Sequence, residues 1–283
     1  MHCRVASGSV PPEPVEPGYA VEIGDVALFY TEHGDGPPLI LLHGGLIAGP
    51  MWEPLLPHLT DGFRVIVPDS RGHGRSTNPG GTLSYAQLAD DVAALIAALG
   101  LRRPLLAGYS DGGQVALELG VRHPGAAGAL VAAAAHPDFD STGMRKTHAA
   151  ILGADDVAGA PDLARLDANL GDFAAVARSF HPGGDEQWRA LVHQTWPMWT
   201  QYAGLTVAEL RTIEAPVLLL VGDRDDLVPL EHVVSLYRAL PSAELAVIPG
   251  ADHGGIASPE RAELLAGLVR DFARRRYDSR PPG

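Results

Sequence analysis

Residues 38–45 read PLILLHGG, a continuous apolar run that ends in glycines. No polar side chain alternates with the apolar ones, so the run suits a strand covered on both faces. The same pattern recurs in FRVIVPDSRGHGRS (63–76), RPLLAGYS (103–110), AGALVAAAAHP (127–137), APVLLLVGD (215–223) and AELAVIPG (243–250). Helical periodicities lie between these runs. Leu88, Val92, Leu95, Ile96 and Leu99 recur at spacings of three and four, with Ser84 placed to cap that helix and Gly100 to end it. DGGQVALELGVRH is halted by Pro124, and SPERAELLAGLVRDFARRR carries arginines where they complement a helix dipole. Buried strands alternating with helices demand crossover connections. The expected fold is α/β: a mostly parallel central sheet with helices on both faces.

The alternation breaks once. From 137 to 213 there are helical patterns and no convincing buried strand, and APVLLLVGD then restores the strand signal. The expected organisation is a core of residues 19–136 and 214–283, with 137–213 inserted as a helical cap over the carboxyl edge of the sheet. YAVEI and VALFYTEHG, around Gly24 and Asp25, read as a starting hairpin. Residues 1–18 read as a mobile, proline-rich leader. No internal repeat is evident, and no long linker divides the chain.

Composition narrows the function classes. With 283 residues, 46% of them hydrophobic, the chain can bury the core of one large domain with an insertion. A formal net charge of −13 repels phosphate backbones, which argues against a nucleic-acid partner. Cys3 is the single cysteine, so neither an internal disulfide nor a cysteine metal site is expected. The most apolar stretch, residues 126–135, is far shorter than the roughly 20 residues of a membrane helix, and the N-terminus lacks the apolar run of a secretory signal. These features together predict a cytoplasmic protein with no membrane partner; they leave its oligomeric state open. There is no H-E-x-x-H, P-loop or dinucleotide fingerprint, so no metal or cofactor is expected.

The chemistry concentrates in AGYSDGGQV, residues 107–115. A serine hydroxyl is a weak nucleophile that needs exposure, a base and a group to orient that base. A strand–G-x-S-x-G–helix turn supplies exposure, since glycines at 108 and 112 permit a strained turn that lifts Ser110 above the sheet. The Asp111 amide, at the start of the helix, can hold a developing oxyanion. Four other loops leave carboxyl ends of strands, where open parallel sheets place their ligands. They are LLHGG (41–45), DSRGHGRS (69–76), VGDRDDLVP (221–229) and IPGADHGG (248–255). Gly45 can offer a second oxyanion amide, with His43 braced beneath that loop. Asp69, Arg71 and Ser76 read as structural braces, and His253 sits in a glycine-flanked loop. Asp223, Asp225 and Asp226 are all candidate acids.

Taken together, HGG, DSRGHGRS, GYSDGG, GDRDDLVP and GADH resemble the α/β-hydrolase family over nearly the whole chain after residue 18. The resemblance implies Ser110 as nucleophile, Asp225 as orienting acid and His253 as base, with the amides of Gly45 and Asp111 as oxyanion donors. Asp226 is the neighbouring alternative for the acid, and Asp138, after the preceding strand, is a remoter one. The implied activity is a serine hydrolase that cleaves a small ester, thioester, lactone or activated amide through an acyl-enzyme. The same scaffold hosts carbon–carbon bond hydrolases, perhydrolases, lyases and cofactor-free oxygenases, and a non-catalytic ligand receptor could keep the same pocket.

Asp111 carries a second question. Its charge is favourable at a helix N-terminus by roughly 0.3–1 kcal/mol, which explains an aspartate there without further role. The functional alternative is recognition of a cationic group on the substrate. In the insertion, Phe180, Trp188, Trp196, Met198, Trp199 and Tyr202 either line a pocket or form the insertion's own core. His181 and His193 read as surface or packing residues.

Overall fold

A computed structural model describes residues 13–15, 18–139 and 143–277. Its strands are β1 (Glu13–Val15), β2 (Gly18–Ile23), β3 (Val26–His33), β4 (Pro38–Leu42), β5 (Arg64–Pro68), β6 (Leu105–Tyr109), β7 (Ala129–Ala133), β8 (Val217–Gly222) and β9 (Ala243–Ile248). They form one sheet in the order β1-β2-β3-β5-β4-β6-β7-β8-β9. The pairings from β5 through β9 are parallel, and those joining β1, β2, β3 and β5 are antiparallel. Most of the expected leader lies outside the described residues; within it, Glu13–Val15 pairs as an edge strand.

Two core helices sit between the central strands: α1 (Tyr85–Ala98) and α2 (Asp111–Arg122). The Ser84 hydroxyl accepts from the Gln87 amide to cap α1, and Gly100, at φ +61°, follows its end. Among the described residues, five helices separate β7 from β8: α3 (Met144–Ile151), α4 (Leu163–Leu170), α5 (Asp172–Ser179), α6 (Gly184–Gln201) and α7 (Val207–Leu210). The chain finishes with α8 (Leu230–Ala239) and α9 (Ala262–Arg276).

The residues of β4, β6, β7 and β8 are almost all buried, which explains why their sequences show no period-two alternation. One face packs against α1, α2 and α8, and on that side the core continues into the insertion through Trp188, Leu191 and Met198. The other face packs against α9 and two short 3₁₀ turns near Trp52 and Leu56. No helix among the described residues is long and apolar enough to cross a membrane.

The loop after β5 ties the sheet together, as its sequence suggests. Arg71 is buried and makes a bidentate pair with Asp91 on α1 at 2.7 and 2.8 Å. The Asp69 carboxylate accepts the amides of Gly49 and Arg75, and the Ser76 hydroxyl donates to the Asp69 carbonyl.

Candidate active site

The turn between β6 and α2 is built by close backbone approach. A Cβ on Gly108 would stand 2.0 Å from the Gly112 carbonyl oxygen, and one on Gly112 would stand 2.3 Å from that of Leu42. Only glycine fits either position. Ser110 itself holds φ +53° and ψ −117°, a conformation that L-residues rarely adopt. Its amide donates to the Ala133 carbonyl, and its carbonyl accepts from Gln114 to start the helix. The sharp turn therefore fixes the hydroxyl above the carboxyl edge of the sheet.

His253 and Asp225 meet it there. His253 Nε2 lies 3.1 Å from Ser110 Oγ, and His253 Nδ1 lies 2.9 Å from Asp225 Oδ2. A carboxylate can only accept from the neutral ring, so Nδ1 carries the proton and Nε2 is free to accept from the serine. Asp225 is buried, and its Oδ1 also accepts the amides of Leu227 and Val228. Asp226 is exposed. Asp223 accepts from the Gly250 amide and so steadies the loop that presents His253. Asp138 forms a backbone bridge with Gly204. The Tyr109 hydroxyl donates to the His253 carbonyl at 2.8 Å, with the two rings 5.3 Å apart. Tyr109 carries no sequence signal for this role beyond standing next to Ser110.

The Gly44–Gly45 turn lies against the same serine. A Cβ on Gly44 would stand 3.4 Å from Ser110 Cβ. Among the described residues, neither the Gly45 amide nor the Asp111 amide donates to a protein acceptor. His43 is buried beneath this turn. Its Nε2 accepts from the Ser70 amide at 2.9 Å, so its Nδ1–H donates to the Gly44 carbonyl at 2.7 Å. That carbonyl and the Gly45 N–H belong to one peptide unit, so the imidazole both orients and polarises the Gly45 donor. Burial lowers the His43 pKa to about 4, which keeps the ring neutral near pH 7.

Ser110 and Asp111 open onto a narrow, partly open cavity, walled also by Tyr85, His136, Phe139, Met144, His148 and Val228. Its walls come chiefly from the exit of β7 and from α3. None of Phe180, Trp188, Trp196, Met198, Trp199 or Tyr202 is among its lining residues. Trp188 and Met198 are buried in the core that joins the insertion to the sheet.

Trp199 acts from behind the cavity. Its indole Nε1 donates to Asp111 Oδ2 at 2.8 Å, and the Tyr85 hydroxyl donates to Asp111 Oδ1 at 2.6 Å. Burial raises the Asp111 pKa, and the two hydrogen bonds oppose that rise. Burial likewise lowers the pKa of His136 to about 4 and of His148 to about 3, so both cavity histidines are neutral near pH 7.

His193 is exposed, and His181 is buried and hydrogen-bonded on both ring nitrogens, to the Gly74 amide and the Leu46 carbonyl.

Among the described residues no cluster of three or more histidine, cysteine or acidic side chains is arranged to hold a metal ion.

Comparison with known proteins agrees with this architecture. A sequence model described as "Alpha/beta hydrolase family" matches residues 39–267. The chain is 30% identical over 266 residues to the "AB hydrolase superfamily protein YisY" of Bacillus subtilis (strain 168), an alignment covering 88% of this chain and 96% of that one. It is 28% identical to the "2-(acetamidomethylene)succinate hydrolase" of Mesorhizobium japonicum, covering 82% and 87%. A solved structure described as "Est816 as an N-Acyl homoserine lactone degrading enzyme" superposes with a TM-score of 0.72 at 27% identity, covering 89% of this chain and 99% of that one.

Proposed function

The chain belongs to the α/β-hydrolase family, and from that premise we propose that it is a serine hydrolase acting on a small ester, lactone, thioester or activated amide. The observation that carries this reading is the unbroken path from Asp225 through both nitrogens of His253 to Ser110 Oγ. His253 Nε2 takes the hydroxyl proton as Ser110 Oγ attacks the acyl carbon. The carbonyl oxygen becomes an oxyanion facing the amides of Gly45 and Asp111. Collapse breaks the bond to the leaving group, which departs with the proton from His253. Water, deprotonated by the same Nε2, then attacks the acyl-enzyme and returns Ser110 with its proton. Asp225 holds the ring in the required tautomer and stabilises its charged form. The insertion lies over this edge of the sheet and acts as a cap.

The names of the relatives fit acyl chemistry: one is a hydrolase of 2-(acetamidomethylene)succinate and another a degrader of N-acyl homoserine lactone. A fluorophosphonate probe tests the reading. It should modify Ser110 in the wild type, fail in Ser110→Ala and react far more slowly in His253→Ala. A folded wild type that resists the probe refutes it. A panel of acyl esters then separates an ester hydrolase from a carbon–carbon bond hydrolase of the same fold.

The acyl group we assign to the cavity carries an amine. Asp111 is the carboxylate among the cavity's lining residues, which include no lysine or arginine, and its two donors are uncharged. A carboxylate offers about four acceptor positions, so an ammonium group can still be received. In Asp111→Asn, turnover of a glycyl ester relative to a propionyl ester should fall at least tenfold. An unchanged ratio removes Asp111 from substrate recognition.

A further inference from the structure

The backbone around the proposed oxyanion site is strained, and the strain is held from the insertion. Leu46, next to Gly45, has φ +61°, which an L-residue with a γ-branched side chain adopts only when its surroundings enforce it. Its side chain is buried, and its carbonyl faces His181 Nε2 at 3.1 Å. His181 stands on the segment between α5 and α6. Its other nitrogen, Nδ1, accepts from the Gly74 amide at 3.0 Å. That bond leaves Nδ1 without a proton, so Nε2 must carry it and donate to Leu46. Gln187 of α6 adds a second contact to the same loop, donating to the Gly74 carbonyl at 2.7 Å.

The arrangement parallels the brace beneath Gly44. His43 donates to the Gly44 carbonyl and accepts from Ser70, while His181 donates to the Leu46 carbonyl and accepts from Gly74. Each imidazole bridges the Gly44–Leu46 turn to the loop after β5, and the two grip the carbonyls on either side of Gly45. His43 belongs to the core and His181 to the insertion. His73, 5.0 Å from the His43 ring and 6.2 Å from the His181 ring, fills the space between them. Burial lowers the pKa of all three, so each stays neutral near pH 7 and keeps the tautomer its partners require.

We propose that His181 is a positioning residue for the oxyanion hole, holding the Leu46 carbonyl so that the Gly45 amide points at the developing charge. This rests on the serine-hydrolase reading above. The insertion then does more than cover the cavity. The seated insertion holds the strained turn through the His181 donor to Leu46 and the Gln187 donor to Gly74. Trp199 gives the insertion a matching hold on the other donor residue, Asp111.

Two substitutions separate the halves of the brace. In His181→Asn the side-chain oxygen can still accept from Gly74, but no donor reaches Leu46. In His181→Gln the longer amide restores a donor toward Leu46. Hydrolysis of p-nitrophenyl butyrate and inhibition by an alkyl trifluoromethyl ketone, whose adduct needs the oxyanion donors, are measured beside thermal melting. Removing an oxyanion donor outright costs about 10²–10³ in kcat, and a misaimed donor should cost at least about tenfold. His181→Asn should therefore lose at least tenfold in kcat with KM within twofold, and lose ketone affinity by the same factor. His181→Gln should recover most of both. A folded His181→Asn with wild-type kcat and ketone affinity overturns the proposal. If His181→Asn does not fold, His181→Phe, which fills the space without a donor, decides: a tenfold loss of kcat and ketone affinity supports the role, and wild-type values overturn it. Fluorophosphonate labelling of the wild type separates the two levels. Failure there removes the hydrolase reading itself, whereas labelling with an unaffected His181→Asn removes only the role of His181.

Discussion

Gly45→Ala should disable the enzyme while leaving it folded, and the structure says by how much. A Cβ at position 45 would stand 2.4 Å from Trp199 Cζ2 and 2.5 Å from Asp111 Oδ2. Neither neighbour can yield. The indole is stacked on His148 at 4.5 Å and tied through Nε1 to Asp111. The carboxylate is held from its other side by Tyr85. Ordinary carbon contacts lie at about 3.5 Å, so the turn must retreat by roughly 1 Å. A hydrogen bond lengthened by that much is lost. The expected cost is one oxyanion donor, about 10²–10³ in kcat or 3–4 kcal/mol of transition-state stabilisation. Overpacking itself should cost about 1–3 kcal/mol of stability. The assay is kcat and KM on a p-nitrophenyl ester, beside urea unfolding to show that the variant is folded. Adding Trp199→Ala should return part of the lost kcat by opening the space. A folded Gly45→Ala with wild-type kcat refutes both the clash and the assignment of the Gly45 amide.

Three further outcomes follow from other parts of the molecule. Asp225→Asn should keep the fold but favour the wrong imidazole tautomer, lowering kcat by about 10⁴, read from single-turnover acylation. Asp91→Ala strips the buried Arg71 guanidinium of its bidentate partner and leaves it only the exposed Asp25 carboxylate at 3.0 Å, so unfolding free energy should fall by somewhat less than the about 3–5 kcal/mol of a fully orphaned buried charge, read from urea unfolding. The third is a pH slope. His43, His136 and His148 have folded-state pKa values lowered to about 4, 4 and 3, below the ordinary value near 6.5. The unfolded chain therefore binds more protons between these limits, and stability falls as the pH drops below about 6.5. One such histidine lowers stability by about 2 kcal/mol at pH 5. The buried carboxyls of Asp69 and Asp111 act oppositely, because burial raises their pKa and favours the neutral form in the fold. His148→Phe, which cannot take up a proton, should flatten the slope of unfolding free energy between pH 7 and 5. An unchanged slope removes His148 from the account.

The sheet was legible in the sequence because burial on both faces leaves β4, β6, β7 and β8 as unbroken apolar runs. Ser110 and His253 were legible for a related reason. Ser110 sits in a turn whose close backbone approach only glycine permits at 108 and 112, and His253 in a loop opened by Gly250 at φ +67°, and glycine leaves a visible mark. His181 left none. Its two backbone partners are 107 and 135 residues away, and it stands in an irregular segment without period or motif. The aromatic content of α6 suited either a pocket wall or the insertion's own core, and composition cannot tell which face of a helix looks inward. The cavity is walled instead by the short helix α3 and the exit of β7, where Met144, His148 and Phe139 carry no distinctive spacing.

Asp111 joins the two halves of the site and brings a conflict with it. Its amide faces the proposed oxyanion, while its carboxylate reaches within 2.5 Å of where a Gly45 side chain would start. Two like charges about 5 Å apart repel by about 3 kcal/mol at an effective dielectric near 20. An ionised Asp111 would therefore oppose the oxyanion that we propose its own backbone amide to stabilise. Hydrogen bonds from Tyr85 and Trp199 spread that charge without cancelling it. A substrate ammonium held by the carboxylate would cancel it, so the amine would contribute to turnover as well as to binding. This gives Asp111→Asn a signature that simple loss of a contact would not produce. Turnover of the glycyl ester should fall in kcat and not only in KM, while kcat for the neutral propionyl ester should rise severalfold. A neutral-ester kcat that falls in parallel with the glycyl one would mean that the carboxylate merely holds Trp199 in place, and that its charge plays no part in choosing the substrate.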